Sequence, residues 1–125
     1  MSDLNVVDSS GWLEYLTGSP RSHLFSVAIE DTQDLIVPVI TVYEVVKRIL
    51  RESSDEDAKT AIQAMTHGRL VDIELSLVLD AARYALPLAD SLIYATAQRY
   101  DATLWTQDAD FDGLANVRYF AKNIN

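Results

Sequence analysis

Five carboxylic acids stand where an alternating strand–helix chain would bring them to one edge: Asp8, Glu44, Asp90, Asp108 and Asp110. Asp8 follows the apolar run Leu4-Asn5-Val6-Val7 and precedes Ser9-Ser10-Gly11-Trp12, so it lies between a strand and a helix. Asp108 and Asp110 follow Thr103-Leu104-Trp105-Thr106. Glu44 falls in the first turn of a helix expected from Thr41, and Asp90 at or near the start of another. Each acid alone has a plainer use. Thr41-Val42-Tyr43-Glu44 fits a capping box, Asp90 fits a helix N-cap, and Asp108 and Asp110 suit a turn. Together they point to metal chemistry. Carboxylates sharing a site repel one another unless something compensates. Mg²⁺ takes oxygen ligands and keeps several waters, often beside substrate phosphates. Two such ions can activate a water and stabilise the leaving oxygen of a phosphodiester.

The elements that must place these acids alternate along the chain. Strands are expected at residues 4–7, 35–37, 70–73, 103–106 and 117–120. Helices are expected at residues 9–16, 22–30, 41–52, 53–66, 76–84 and 89–100, with Ser9 or Ser10 capping the first. The helix at 41–52 carries Val42, Val45, Val46 and Ile49 at i, i+3, i+4 and i+7. Strands separated by helices mean a parallel sheet covered on both faces. The expectation is one three-layer α/β/α domain over residues 1–125, with a parallel sheet of four to five strands. In such sheets ligands bind at the carboxyl ends of the strands, which is the edge the five acids share.

Bulk properties narrow the field. The 125 residues, 49% hydrophobic, are one domain's worth and carry no sign of disorder. The absence of cysteine excludes disulfides and thiolate metal sites. A net charge of −9 argues against a simple nucleic-acid binder. It fits bound cations, a basic partner, or plain solubility. Arg21 is the sole cation before Lys47, Arg48 and Arg51, which share the helical face of Glu44. Lys47 and Arg48 are candidates for phosphate contact; surface pairing with Glu44 and Glu52 is the competing use. Trp12, Tyr43, Tyr94 and Trp105 belong to the core, or stack on bases. The start of the chain lacks the basic-then-apolar pattern of a signal peptide. The longest apolar stretch, residues 35–39, is too short to span a bilayer. A cytoplasmic protein with no membrane partner is expected.

Four segments resemble the motifs of PIN-domain ribonucleases, and more narrowly those of VapC toxins from toxin–antitoxin pairs. They are Val6-Val7-Asp8-Ser9-Ser10, Thr41-Val42-Tyr43-Glu44-Val45, Leu88-Ala89-Asp90-Ser91-Leu92-Ile93-Tyr94-Ala95-Thr96-Ala97 and Leu104-Trp105-Thr106-Gln107-Asp108-Ala109-Asp110-Phe111. The resemblance spans essentially the whole chain. It implies an acidic quartet of Asp8, Glu44, Asp90 and Asp108, with Asp110 as a fifth acid. It implies Mg²⁺, or Mn²⁺, held by Asp8, Asp90, Asp108 and Asp110, with Asp108 or Asp110 as the principal fourth acid. Ser9 and Thr106 would orient these ligands. The activity implied is endoribonucleolysis by metal-activated water, with no histidine required. The partners implied are an RNA substrate, a cognate antitoxin and a second copy of the chain. An inactive PIN-like binding module is the alternative. A receiver-type phosphoacceptor domain fits poorly, because Asp8 has no neighbouring acid and no Asp follows Val37.

Overall fold

The computed structural model describes residues 3–122. Five strands form one sheet: β1 (Asn5–Val7), β2 (Leu35–Pro38), β3 (Arg69–Val71), β4 (Thr103–Thr106) and β5 (Val117–Tyr119). All neighbours are parallel, in the order β3-β2-β1-β4-β5. β1 is central, and the chain winds outward from it in both directions. The carboxyl ends of β1 and β4 therefore flank the switch point, where open α/β sheets place their ligands.

The described residues form six α-helices: α1 (Ser9–Leu16), α2 (His23–Glu30), α3 (Val39–Glu52), α4 (Asp55–Met65), α5 (Leu75–Ala81) and α6 (Leu88–Arg99). Side chains of a strand alternate between faces, and this divides the core. Val7, Leu35 and Val37 face α1–α4, where Trp12, Phe25, Ile29, Val45 and Met65 are buried. Val6, Ile36 and Leu104 face α6, against Ile93, Tyr94 and Phe111. The three-layer α/β/α architecture with a parallel sheet is as the strand–helix alternation predicts. α5 lies outside α6, joined through Leu77, Ala81, Leu92 and Ala95. That explains why α6 is buried from Ser91 to Ala97 on every side. Among the described residues, no helix is long and apolar enough to cross a membrane.

The structure corrects three expected helix caps. α1 is capped by Asp8, not by Ser9 or Ser10: the Asp8 side chain accepts from the Gly11 N–H. α3 begins at Val39, with Pro38 as its cap, so β2 runs straight into it. The Thr41 capping box is therefore absent. Thr41 is buried inside the helix, and its hydroxyl has no partner among the described residues. Glu44 consequently stands in the second turn of α3. Finally, Asp90 is the third residue of α6, two places beyond the start, and Pro87 occupies the cap.

Candidate active site

Asp8 is the most constrained of the acids. It is 3% exposed at the end of β1. Its Oδ1 accepts from the Gly11 N–H at 2.9 Å and the Ser10 hydroxyl at 3.0 Å. Its Oδ2 accepts from the Thr106 hydroxyl at 2.6 Å, across from β4. The same Thr106 oxygen accepts from the Asp108 N–H at 2.9 Å. One threonine thus fixes a carboxylate from β1 relative to the loop after β4. Asp108 in turn accepts from the Asp110 N–H and caps the short 3-10 turn Ala109–Phe111.

Glu44 arrives from α3. Released from any capping role, its Oε1 accepts from the Ser9 hydroxyl at 2.5 Å. Asp90 arrives from α6 and is half-buried. It accepts no hydrogen bond from the described residues. Asp8, Glu44, Asp90 and Asp108 line a single open cleft of about 250 Å³, with Ser9, Ser10, Leu13 and Arg48. Carboxylate oxygens of Asp90, Asp108 and Asp110 lie within 4.8 Å of one another. Asp8 and Glu44 stand outside that triad of oxygens, and Asp110, which belongs to it, is exposed and not part of the cleft wall.

Three carboxylates at this spacing, two of them (Asp90 and Asp110) with no hydrogen-bond donor among the described residues, form a hard oxygen set suited to a divalent cation. The electrostatics agree. Burial pushes the Asp8 carboxyl up to about 6 from its ordinary 3.8. Hydrogen bonds from Thr106, Gly11 and Ser10 act against that, and the charge of Asp108 adds to it. Asp90 is pushed up to about 7, first by burial and then by the charges of Asp108, Glu44, Asp8 and Asp110.

Both shifts run upward, so the folded protein holds these protons more tightly than the unfolded chain does. The stabilisation is complete below the unfolded value of 3.8. It is lost as pH climbs through about 6 for Asp8 and about 7 for Asp90. Without metal, Tm is expected to fall by several degrees between about pH 5 and about pH 8. Added Mg²⁺ or Mn²⁺ restores more of it at the upper end, because protons and cations compete for the same oxygens. Thermal melts over a grid of pH and metal check this. A metal-free Tm that rises through the window contradicts the assignment.

The remaining candidates divide. Arg48 lines the cleft, and its Nε lies 2.6 Å from Glu52. Lys47 points elsewhere: its Nζ bonds the Tyr43 hydroxyl at 3.2 Å and sits 5.4 Å from that ring's centre. Trp12 and Tyr94 are core residues, whereas Tyr43 is 57% exposed. Trp105 is covered by Arg118, 4.6 Å from its ring centre. Two contributors were not anticipated. Ser10, read only as a possible cap, donates to Asp8. Arg21 donates to Gln107 Oε1 at 2.7 Å, next to Asp108. The second contact joins residues 86 apart, and no local pattern announces it.

The fold and the cleft define an α/β protein that gathers carboxylates at the carboxyl edge of a parallel sheet. The family model of the PIN domain matches residues 6–117, and this chain belongs to the PIN-domain family. The resemblance carried by the four acidic motifs is thereby borne out. Among solved structures, a toxin-antitoxin complex from Klebsiella pneumoniae matches with a TM-score of 0.76 at 21% identity, covering 91% of this chain and 95% of that one. VapC20 of Mycobacterium tuberculosis, a sarcin-ricin loop cleaving toxin, matches with a TM-score of 0.73 at 18% identity, over 91% and 98% of the two chains. VapBC2 from Rickettsia felis, bound to a DNA fragment from its promoter, matches at 0.71 and 12% identity, over 94% and 97%. At such identities the likeness is one of fold. No curated protein sequence is significantly similar to this chain.

Proposed function

We propose that this chain is a divalent-metal-dependent endoribonuclease, folded as one PIN domain and acting as the toxin of a toxin–antitoxin pair. One observation carries the reading: acids from four separate elements line one cleft, and three carboxylates come within 4.8 Å of one another. Family membership and the toxins among the fold neighbours support it.

Asp90, Asp108 and Asp110 would hold the cation, with Asp8 behind them. A bound Mg²⁺ or Mn²⁺ supplies a water activated near neutral pH and offsets charge on the phosphodiester. The chain's own residues do the positioning. Thr106, Ser10 and the Gly11 N–H fix Asp8 in one rotamer. Ser9 holds Glu44 toward the cleft, where its carboxylate orients the attacking water. Arg48 offers its guanidinium to a phosphate at the rim. Water forms the new P–O bond as the bond to the ribose oxygen breaks in line; the water's proton passes to solvent, and the departing oxygen takes one from solvent.

The proposed partners follow the same reading. An antitoxin would cover the cleft, as a partner protein accompanies the toxin in the Klebsiella pneumoniae complex. A second copy would pack on the apolar hollow between α5 and α6, where Val78 and Leu88 are exposed beside Leu86 and Leu92. The test is cleavage of a mixed single-stranded and structured RNA pool by protein free of antitoxin. Cleavage in Mg²⁺ that EDTA abolishes is expected. No cleavage with either metal overturns the reading in favour of an inactive binding module. Cleavage that persists in EDTA overturns the metal mechanism.

A further inference from the structure

The segment after β5 is tied to the acidic loop by one side chain. Arg21 Nη2 donates to the carbonyls of Phe120 at 3.1 Å and Ala121 at 3.3 Å. Its Nε donates to Gln107, which is 4% exposed and directly precedes Asp108. Gln107 Nε2 completes the network by donating to Glu14 at 2.7 Å. This half-buried guanidinium therefore sets the place of Lys122 relative to the acids.

That place is a groove. Lys122 lines a hollow shared with Ser10, Gln107, Asp108 and Tyr119. It also lines a second hollow with Ser10, Leu13 and Arg48. Ser10 belongs to both hollows and to the acidic cleft, and Asp108 joins the first hollow to the cleft. The path leads from the acids, past Ser10, to Lys122. Arg48, which offers its guanidinium at the rim of the cleft, shares its charge with Glu52, and Arg21 is engaged with Gln107 and two carbonyls. Among the described residues, Lys122 has no ion pair within 4.0 Å, and its charge acts at longer range on Glu14 across the second hollow.

We infer that Lys122 binds the RNA backbone phosphate next to the one held at the acids, its ammonium reaching the strand along the groove past Ser10. This rests on the nuclease reading. In a chain of net charge −9, whose groove also carries Glu14 and Asp108, a polyanion needs such a counter-charge. A compact ammonium on a flexible stem suits a phosphate as a point charge.

Lys122→Gln and Lys122→Arg would be compared with the unaltered protein. Binding of a fluorescein-labelled single-stranded RNA of mixed sequence would be titrated in Ca²⁺ over a salt series, with kcat and KM for cleavage in Mg²⁺. One phosphate contact to a single strand is worth a slope of about 0.7 in log K against log salt, hence about fivefold at ~0.1 M salt. Lys122→Gln is expected to lose that slope, weaken binding about fivefold and raise KM with kcat unchanged. Lys122→Arg is expected to keep all three. Unchanged slope and KM in Lys122→Gln, in a protein that still cleaves, overturn this inference alone. A fall in kcat with binding intact overturns it too, by placing the Lys122 charge on the transition state and not on the bound strand. Neither binding nor cleavage by the unaltered protein overturns the nuclease reading along with it.

Discussion

Asp90→Asn is expected to abolish RNA cleavage and, in the same protein, to raise the Tm of the metal-free form. The two effects have one cause. Asp90 is a half-buried carboxylate with no hydrogen-bond donor among the described residues, facing four other acids. Its charge destabilises the fold unless a cation is bound. Asparagine keeps the shape and removes the charge. Metal chemistry on a phosphoryl oxygen is worth several kcal/mol, so cleavage should fall by roughly three orders of magnitude or more. After allowance for solvent screening at this partly open site, the stability gained near neutral pH is ~1 kcal/mol. For a domain of this length that is about 4 °C. The Mg²⁺-induced rise in Tm should shrink sharply in the variant. A structural Asp90 behaves in the opposite way: its loss lowers Tm, and cleavage falls only as folded protein is lost. Melts with and without metal, beside a cleavage assay, separate the two.

The convergence of the acids was legible because strand ends and the first turns of following helices share one edge of a parallel sheet. Residues 8, 90, 108 and 110 needed only the order of elements to be placed there. The caps were not legible, for a local reason. Thr41 and Glu44 have the spacing of a capping box, and a sequence window cannot tell that Pro38 has already started the helix. Val39 and Ile40 extend it by half a turn, which sends Thr41 into the core and Glu44 into the cleft. The apolar spacing of α3 held despite the shift, since Val45 and Ile49 are buried as their period requires. Likewise Asp8, read as the residue before a serine cap, is itself the cap.

Long-range polar ties are the other blind spot. Nothing near Arg21 in sequence says that it will bond Gln107 and the backbone after β5. The place of Lys122 is hidden for the same reason, since it follows from the Arg21 bonds to Phe120 and Ala121. Arg48 and Lys47, adjacent and alike on paper, diverge because α3 turns about 100° per residue. That step points Arg48 to the cleft and leaves Lys47 against Tyr43.

Gly11→Ala is expected to destabilise the protein strongly, against the prediction from helix propensity. Gly11 is buried in the first turn of α1. On propensity alone, alanine would gain ~1 kcal/mol over glycine inside a helix. A Cβ at this position would stand 2.7 Å from Phe25 Cδ1 and 2.7 Å from Val7 Cγ1. Both neighbours are fully buried, one a ring and one a branched chain on the central strand, so neither yields at low cost. Overpacking of this kind costs about 1–3 kcal/mol, and with two contacts this short the upper end is expected even after the propensity gain. Tm should drop by ~10 °C. Cleavage should fall as well, because the Gly11 N–H holds Asp8 and a displaced α1 carries Ser9 and Ser10 away from Glu44 and Asp8. Phe25→Leu, which trims the ring, should recover about 1 kcal/mol of the loss as a coupling term in a double-mutant cycle. Denaturant melts of the four proteins measure it. Additive losses, or a Gly11→Ala protein more stable than its parent, would show that α1 is free to shift and that Asp8 is not held by the packing beneath it.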